Sequence, residues 1–359
     1  MDLLSNDQTD EPLHLEVCLD ELSPHTGIIE LLKTLRPQWR AEDIQLKVFT
    51  EGITNQLLGC SVSSDSAVVL VRVYGRMTEL FIDHKKEVET LMLLHSHGCG
   101  PRLYCSFQNG ICYEFLKGVA LDDVLLRQPS VYRLVALEMG KIHSIKPKCS
   151  SSVEPVLWSK LANYLKLLQN CDAENDDDVL RQGSQLDIPS VEVLINETEE
   201  LKRHLNRVES PTVLCHNDLL TKNIIYNSDE GVVKFIDYEY ADFNYQAYDI
   251  GNHFNEFAGV NNVDYSLYPS RELQWDWLTS YLQSVKINSR VDSQITQREV
   301  NTLYVQVCKF SLASHLSWGL WALLQAKYST IKFNFLKYAA ARFSFYFKKK
   351  EEYLEMTLP

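Results

Sequence analysis

Four polar residues, His216, Asp218, Asn223 and Asp237, follow one another in the order and spacing that phosphoryl transfer asks of a protein. They lie in the stretch Val213–Glu239, VLCHNDLLTKNIIYNSDEGVVKFIDYE. Asp218 stands five residues before Asn223, and Asp237 fourteen after it. In such a pattern the first Asp accepts a hydroxyl proton and holds the oxygen in line with the γ-phosphoryl group. The Asn and the second Asp offer hard oxygen ligands to Mg²⁺ beside a bound ATP. Asp and Asn also cap ordinary turns, so the motif gains meaning only from the elements that would position it.

Those elements are legible. Ile224–Tyr226 and Val232–Ile236 are two apolar runs joined by a polar turn, a hairpin that folds Asp237 back towards the loop. Upstream, residues 1–22 are polar and acidic and read as a flexible N-terminal arm. Ser23-Pro24 reads as a cap with Pro at the first helical position, opening a helix with Ile28, Leu31, Leu32 and Leu35 that Pro37 ends. Three strands follow, near Ile44–Val48, Gln56–Val62 and Ala67–Tyr74. The turn between the first two, Thr50–Asn55, carries Gly52, Thr54 and Asn55 and is open enough for backbone N–H groups to approach a phosphate.

Arg72 in the third strand is a cation in an apolar run, which is costly unless it is paired or faces a cleft. Glu87 could pair with it, as a helix Glu pairs with the strand-three base in kinases, or be a solvated helix carboxylate; it stands beside a helix face of Val88, Leu91, Met92 and His95. Asn109-Gly110 predicts a type I′ hairpin between Leu103–Gln108 and Ile111–Phe115. Five strands with one helix after the third is the order of a kinase small lobe, in which Tyr113–Gly118, with Glu114 and Leu116, would be the adenine-binding hinge. From Leu121 the pattern is helical, with segments at Leu121–Leu126, Val131–Ser144 (where His143 packs), Val156–Leu168 and Val191–Leu205. The acidic run Asp172–Asp178 reads as a solvated loop. The reading is an α/β, two-lobed, protein-kinase-like fold: arm 1–22, a small nucleotide-binding lobe 23–117 with a five-stranded antiparallel sheet, and a large helical lobe 118–359 for catalysis and amine binding.

A net charge of -13 speaks against nucleic acid and suits a cationic substrate. Nine cysteines without a C-x-x-C pair fit reduced thiols. No apolar run spans a bilayer and no leader pattern opens the chain, so the expectation is a cytoplasmic protein without stable membrane insertion. Trp318 and Trp321, three residues apart on a helix, are core aromatics or two faces of a cage for an ammonium group. Glu239, Asp242, Asp249 and Glu256 would supply the negative field.

HNDLLTKNIIY, FIDYEYADFNYQAYDIGNHFNEFAG, EGITNQL, VLVRVYG and SHLSWGLWALLQAK together resemble the choline/ethanolamine kinase family over residues 25–350. Leu220 and Lys222 replace the Gln and Gly usual in choline kinases, which points to the ethanolamine branch. The resemblance implies ATP- and Mg²⁺-dependent phosphorylation of ethanolamine to phosphoethanolamine, the first step of phosphatidylethanolamine synthesis by the Kennedy route. It implies Asp218 and Asn223 as catalytic residues, Asn223 and Asp237 as metal ligands, and Arg72 as a phosphate contact. Glu239, Tyr240, Glu256, Trp318, Trp321, Phe333 and Tyr338 would face the amine. The partner is then a small amino alcohol, with a homodimer as the candidate assembly. A choline or dual-specificity kinase, an inactive nucleotide-binding module, a protein kinase and an aminoglycoside-type phosphotransferase are the alternatives. The missing G-x-G-x-x-G, D-F-G and A-P-E count against a protein kinase, and the intact Asp218, Asn223, Asp237 and Arg72 count against an inactive module.

Overall fold

The computed structural model describes residues 13–20, 24–49, 56–65, 67–75, 82–147, 153–172, 186–329 and 331–359. Gly52, Thr54 and Asn55, most of the acidic run after Asp172, Ser23 and the first twelve residues lie outside them. The chain divides into two compact units: Met1–Gly118 with Ile236–Glu239, and Val119–Phe235 with Tyr240–Pro359. Among the described residues no helix is long and apolar enough to cross a membrane.

The first unit is built on a six-stranded sheet, in the order β1-β5-β6-β4-β3-β2. Its strands are β1 Leu13–Leu15, β2 Gln45–Phe49, β3 Gln56–Ser61, β4 Val68–Val73, β5 Leu103–Phe107 and β6 Gly110–Glu114. Five are antiparallel as expected. The sixth, β1, pairs in parallel with β5 and lies within the residues assigned by sequence to a flexible arm. Two contacts explain the difference: Leu19 is buried in the core, and the Asn109 side-chain amide bonds both the N–H and the C=O of Leu19, at 2.9 and 2.8 Å. Asn109 thereby pairs with the chain as a strand backbone would.

The β5–β6 hairpin turns at Gln108-Asn109 rather than at Asn109-Gly110, and neither of those central residues has the positive φ of a type I′ turn. Gly110 serves a different purpose. A Cβ there would lie 2.2 Å from the Arg72 carbonyl oxygen, so the strand carrying Arg72 can pair this closely only with glycine opposite Val73. Behind the sheet, helix α1 (His25–Leu35) packs Ile28, Leu31, Leu32 and Leu35 on Leu58, Cys60, Val69, Val71, Cys105 and Cys112. Pro24 occupies the N-cap position, not the first helical one. Helix α2 (His84–Ser96), capped by Asp83, buries Glu87, Thr90, Leu91 and Leu94, a stripe rotated from the expected one because Glu87 itself is drawn inward by Arg72.

The second unit carries the helices α3 Pro129–His143, α4 Leu157–Asp172, α5 Val191–Leu205, α6 Gln246–Glu256, α7 Arg271–Asn288, α8 Gln297–Tyr328 and α9 Phe335–Glu355. Two small sheets join them, β10 (Val232–Phe235) with β9 (Ile224–Asn227) and β7 (Val119–Ala120), and β11 (Asp242–Tyr245) with β8 (Thr212–Cys215). Leu121–Leu126 does not form the expected helix. The Asp122 carboxylate caps a first turn by accepting from the N–H groups of Val124 and Leu125, at 3.0 and 2.8 Å, but only a short 3₁₀ turn, Leu125–Arg127, follows, because Gln128 is extended ahead of Pro129. The long α8 is started by a reciprocal cap in which Thr296 and Glu299 bond each other's backbone N–H. Most of its side chains from Val300 to Gln325 are buried, making α8 the axis of this unit.

Gly110→Ala should lower stability by roughly 1–3 kcal/mol, because the added methyl overpacks the β4–β6 pair. Chemical denaturation of the purified protein checks this; an unshifted midpoint would show that the sheet accommodates the methyl.

Candidate active site

The strand-to-loop passage after β8 is held by one carboxylate. Asp249, in the first turn of α6, accepts from the backbone N–H of His216 at 2.9 Å and of Asn217 at 2.7 Å. Its Oδ2 also meets the Nε2 of His143, at 3.0 Å, whose Nδ1 contacts the Tyr281 hydroxyl at 2.8 Å. Asp249 is 1% exposed. Burial alone would raise its carboxyl, but the hydrogen bond and charge of His143, with the His216 ring and backbone, bring it below the ordinary value. The negative field expected from Asp249 towards an amine is therefore spent on the loop, and His143 packs here as its partner.

Asn217 adopts φ +64°, a left-handed conformation that Asn tolerates better than most residues. Its side chain donates to the Tyr240 carbonyl at 3.0 Å and accepts from Asn244 at 2.9 Å. With these bonds the next residue, Asp218, is presented at the turn with 8% exposure. The Asp218 N–H points to His216 Nδ1 at 3.3 Å, and its carbonyl accepts from the Asn223 side-chain NH₂ at 2.9 Å. Committing that NH₂ leaves the Asn223 amide oxygen as the end suited to a hard cation. His253 supports the same turn, its Nδ1 lying 3.2 Å from the Leu219 carbonyl, and burial pushes its imidazole down to about 4.

A second network runs from this turn to the tryptophans. The Asn252 side chain donates to the Asn217 carbonyl at 3.2 Å and accepts from Trp318 Nε1 at 2.8 Å and Ser314 Oγ at 2.7 Å. The close approach of α6 to α8 requires Gly251, where a Cβ would lie 2.9 Å from the backbone of Val307 and Ser311. Trp318 packs edge-on to Tyr240 and to Trp321, with centroids 5.5 and 5.2 Å apart, and Trp321 Nε1 donates to the Tyr240 hydroxyl at 3.1 Å. Phe333 contacts Tyr338 at 5.8 Å. Charges on Asp218 and Glu256 contribute to the raised phenol of Tyr338, for which burial is the larger cause. Trp318, Trp321, Tyr240, Phe333 and Tyr338 thus share one aromatic region of the second unit.

Glu256 is 2% exposed and ion-paired with Arg342 at 3.1 Å, a partner that the sequence reading lacked. Arg342 also donates to Ser314 Oγ at 2.8 Å. Burial raises the Glu256 carboxyl against the opposing pull of Arg342.

In the first unit, Arg72 is 4% exposed and pairs with Glu87 and also with Asp237, whose Oδ1 is 2.8 Å from Nη1. Burial works against the Arg72 charge, and Asp237 first, then Tyr113, Glu239 and Tyr74, more than reverse it. Asp237 has φ +65°, a strained backbone for a non-glycine residue. The Ile236–Glu239 segment, assigned by sequence to the large lobe, belongs to this unit because Arg72 holds Asp237 and the Tyr238 hydroxyl donates to the Cys99 carbonyl at 3.2 Å. Glu239 is likewise buried here, its charge acting on Arg72. Glu114 closes its strand by exchanging bonds with Arg102, at 2.9 and 3.1 Å, and Leu116 follows, half-buried.

A sheet unit carrying a buried Arg–Glu pair, and a helical unit presenting an H-x-D-x-x-x-x-N turn, define a small-molecule phosphotransferase of protein-kinase-like fold. The family profile of choline/ethanolamine kinases matches residues 46–347, and the chain belongs to that family. It is 52% identical to human "Ethanolamine kinase 2" over 95% of this chain and 84% of that protein. It is 50% identical to human "Ethanolamine kinase 1", over 93% and 73% respectively. The solved structure of a Plasmodium vivax ethanolamine kinase superposes with a TM-score of 0.79 at 28% identity, covering 91% of this chain and 89% of the other.

The buried His253 sets a pH expectation. Its folded value of about 4 lies below the ordinary 6.5, so the unfolded chain takes up a proton that the native chain refuses. Stability present above pH 6.5 should be lost as pH falls towards 4, by roughly 3 kcal/mol at most. His253→Gln should flatten the dependence of Tm on pH in that window, leaving the share due to His315, which burial also lowers. A slope equal to that of the unaltered protein would remove His253 from the account.

Proposed function

We propose that the chain transfers the γ-phosphoryl group of ATP to the hydroxyl of ethanolamine, giving phosphoethanolamine and ADP. The observation that carries this reading is identity at half of all positions with two human ethanolamine kinases, along nearly the whole chain. Physical features of the chain agree with it. The turn carrying Asp218 is fixed by backbone bonds, so its carboxylate meets the hydroxyl without a reorganisation cost, accepts its proton and keeps the oxygen aimed at the phosphorus. Arg72, with its charge maintained by Glu87 and Asp237, suits a contact to phosphate oxygens.

In this reading the first unit takes the nucleotide, with Gly52, Thr54 and Asn55 at the phosphates and Glu114–Leu116 at the adenine. The second unit takes the amine, among Tyr240, Trp318, Trp321, Phe333 and Tyr338, with Glu256 as its acidic group; Glu239, of the first unit, is the other acid proposed for the amine. Mg²⁺ would be held by Asn223 and Asp237: one offers an amide oxygen, the other a second carboxylate oxygen beyond the one bound to Arg72. Such an ion supplies charge neutralisation on the transferring phosphoryl group. The setting we propose is cytoplasmic, the product feeds phosphatidylethanolamine synthesis, and the homodimer stands as the proposed assembly.

A primary ammonium has three N–H donors and gains from carboxylates, whereas the quaternary nitrogen of choline has only its charge and the ring faces to use. A coupled ADP-release assay with Mg-ATP should give kcat/KM for ethanolamine well above that for choline; equal values would make this a dual-specificity kinase. In the same assay Asp218→Asn should lose about 10²–10⁴ in kcat with ATP affinity almost intact. Retained turnover would remove Asp218 as the base. Trp318→Ala should raise KM for the amine more than for ATP, and the opposite pattern would make that helix plain core.

A further inference from the structure

The aromatic region beside Asp218 already has an ammonium group against it, supplied by the chain. Lys160 Nζ, on the first turn of α4, sits 4.3 Å from the ring centroid of Tyr240, 5.8 Å from that of Trp318 and 5.8 Å from that of Tyr164. All three distances are within the range of cation-π attraction. Tyr240 and Trp318 are members of the proposed amine pocket. Tyr164, one helical turn after Lys160, belongs to the same neighbourhood: its phenol is raised, mainly by burial, with the charge of Asp218 adding to the effect. Lys160 itself is half-buried, and its four-carbon stem gives the ammonium several rotamers to move through.

We infer that Lys160 is a specificity-determining residue: its ammonium occupies the ring faces of Tyr240 and Trp318 when no amine is bound, and the substrate ammonium must displace it. The inference rests on the reading of these rings as the amine pocket. Two like charges cannot share the same faces at low cost, so binding of an amino alcohol expels Lys160 towards solvent and the free energy of its ring contacts is subtracted from substrate affinity. A lysine in this place therefore sets a high threshold for amines. Neutral alcohols gain nothing, since leaving the lysine undisturbed is better for the rings than replacing a cation by a weaker ligand.

The test combines kinetics with labelling of the unaltered protein. Lys160→Met should lower KM for ethanolamine about two- to tenfold while kcat changes less, and Lys160→Arg, which keeps the charge, should retain the original KM more nearly. In the unaltered protein, a brief pulse of an amine-acylating reagent, read by mass spectrometry as the ratio of Lys160 to the exposed Lys33, should mark Lys160 more heavily when ethanolamine is saturating. Taking the ratio cancels reagent consumed by ethanolamine. Both results are required. An amine KM unchanged or raised in Lys160→Met overturns the inference, as does a labelling ratio indifferent to ethanolamine, and the ratio alone decides if Lys160→Met does not fold. Trp318→Ala separates the two levels: an unaltered amine KM there refutes the pocket, whereas a raised one beside an unmoved Lys160→Met refutes only the role of the lysine.

Discussion

The carboxylate of Asp249 is the constraint on which the turn carrying Asp218 depends. Two consecutive backbone N–H groups, of His216 and Asn217, end on its two oxygens in a site sealed from water. An ionised acid at this depth is expensive unless its oxygens are occupied by donors, and here two of the bonds that satisfy the acid also fix the chain entering the turn. His143 and Tyr281 brace the other side from α3 and α7. The left-handed Asn217 is then sustained by its own side-chain bonds, and Asp218 leaves the turn in one direction. Strain and buried charge are concentrated at the turn that carries Asp218, the proposed proton acceptor.

The remaining polar interior of the second unit extends that logic. Asn252 spends its two ends on the turn before Asp218 and on Trp318, so that turn and the aromatic region are parts of one hydrogen-bonded body rather than separate attachments. Ser314 passes the connection to Arg342, which keeps Glu256 in place. In the first unit an analogous economy applies. Arg72 is a cation in a sheet interior, made tolerable by Glu87 and Asp237, and Gly110 lets the neighbouring strand close over its backbone.

Much of this was legible in the sequence where periodicity or local chemistry decides structure. Val191–Leu205 was readable to its ends as an amphipathic helix with basic residues in its last turn, and Val68–Val73 from its β-branched residues. The motif residues were readable from their spacing and Arg72 from being a cation in an apolar strand, whereas Glu87 was one candidate partner that only the pairing itself singles out. What escaped depends on partners distant in sequence. Asp249 is visible as an acid, but nothing local says that its partners are backbone groups over thirty residues earlier. Leu13–Leu15 is too short for any period, and its pairing depends on a strand about ninety residues away. The Leu121–Leu126 segment has helical spacing and Asp122 caps a first turn, yet Gln128 is extended ahead of Pro129 and leaves no room for a second. The run DIGNHF is amphipathic, with Asp249, Asn252 and His253 on one face; periodicity alone assigns that face to solvent, whereas all three are buried against polar neighbours.

A double-mutant cycle on kcat tests most directly whether the buried acid acts through the base. Asp249→Asn removes the charge that holds the turn, Asp218→Asn removes the proton acceptor, and the pair is compared with each alone, using urea midpoints to confirm that all three variants are folded. If Asp249 serves catalysis by placing Asp218, Asp249→Asn alone should cut kcat more than tenfold, and the double variant should be hardly worse than Asp218→Asn. Losses that multiply would mean that the two residues contribute independently, and would contradict the account.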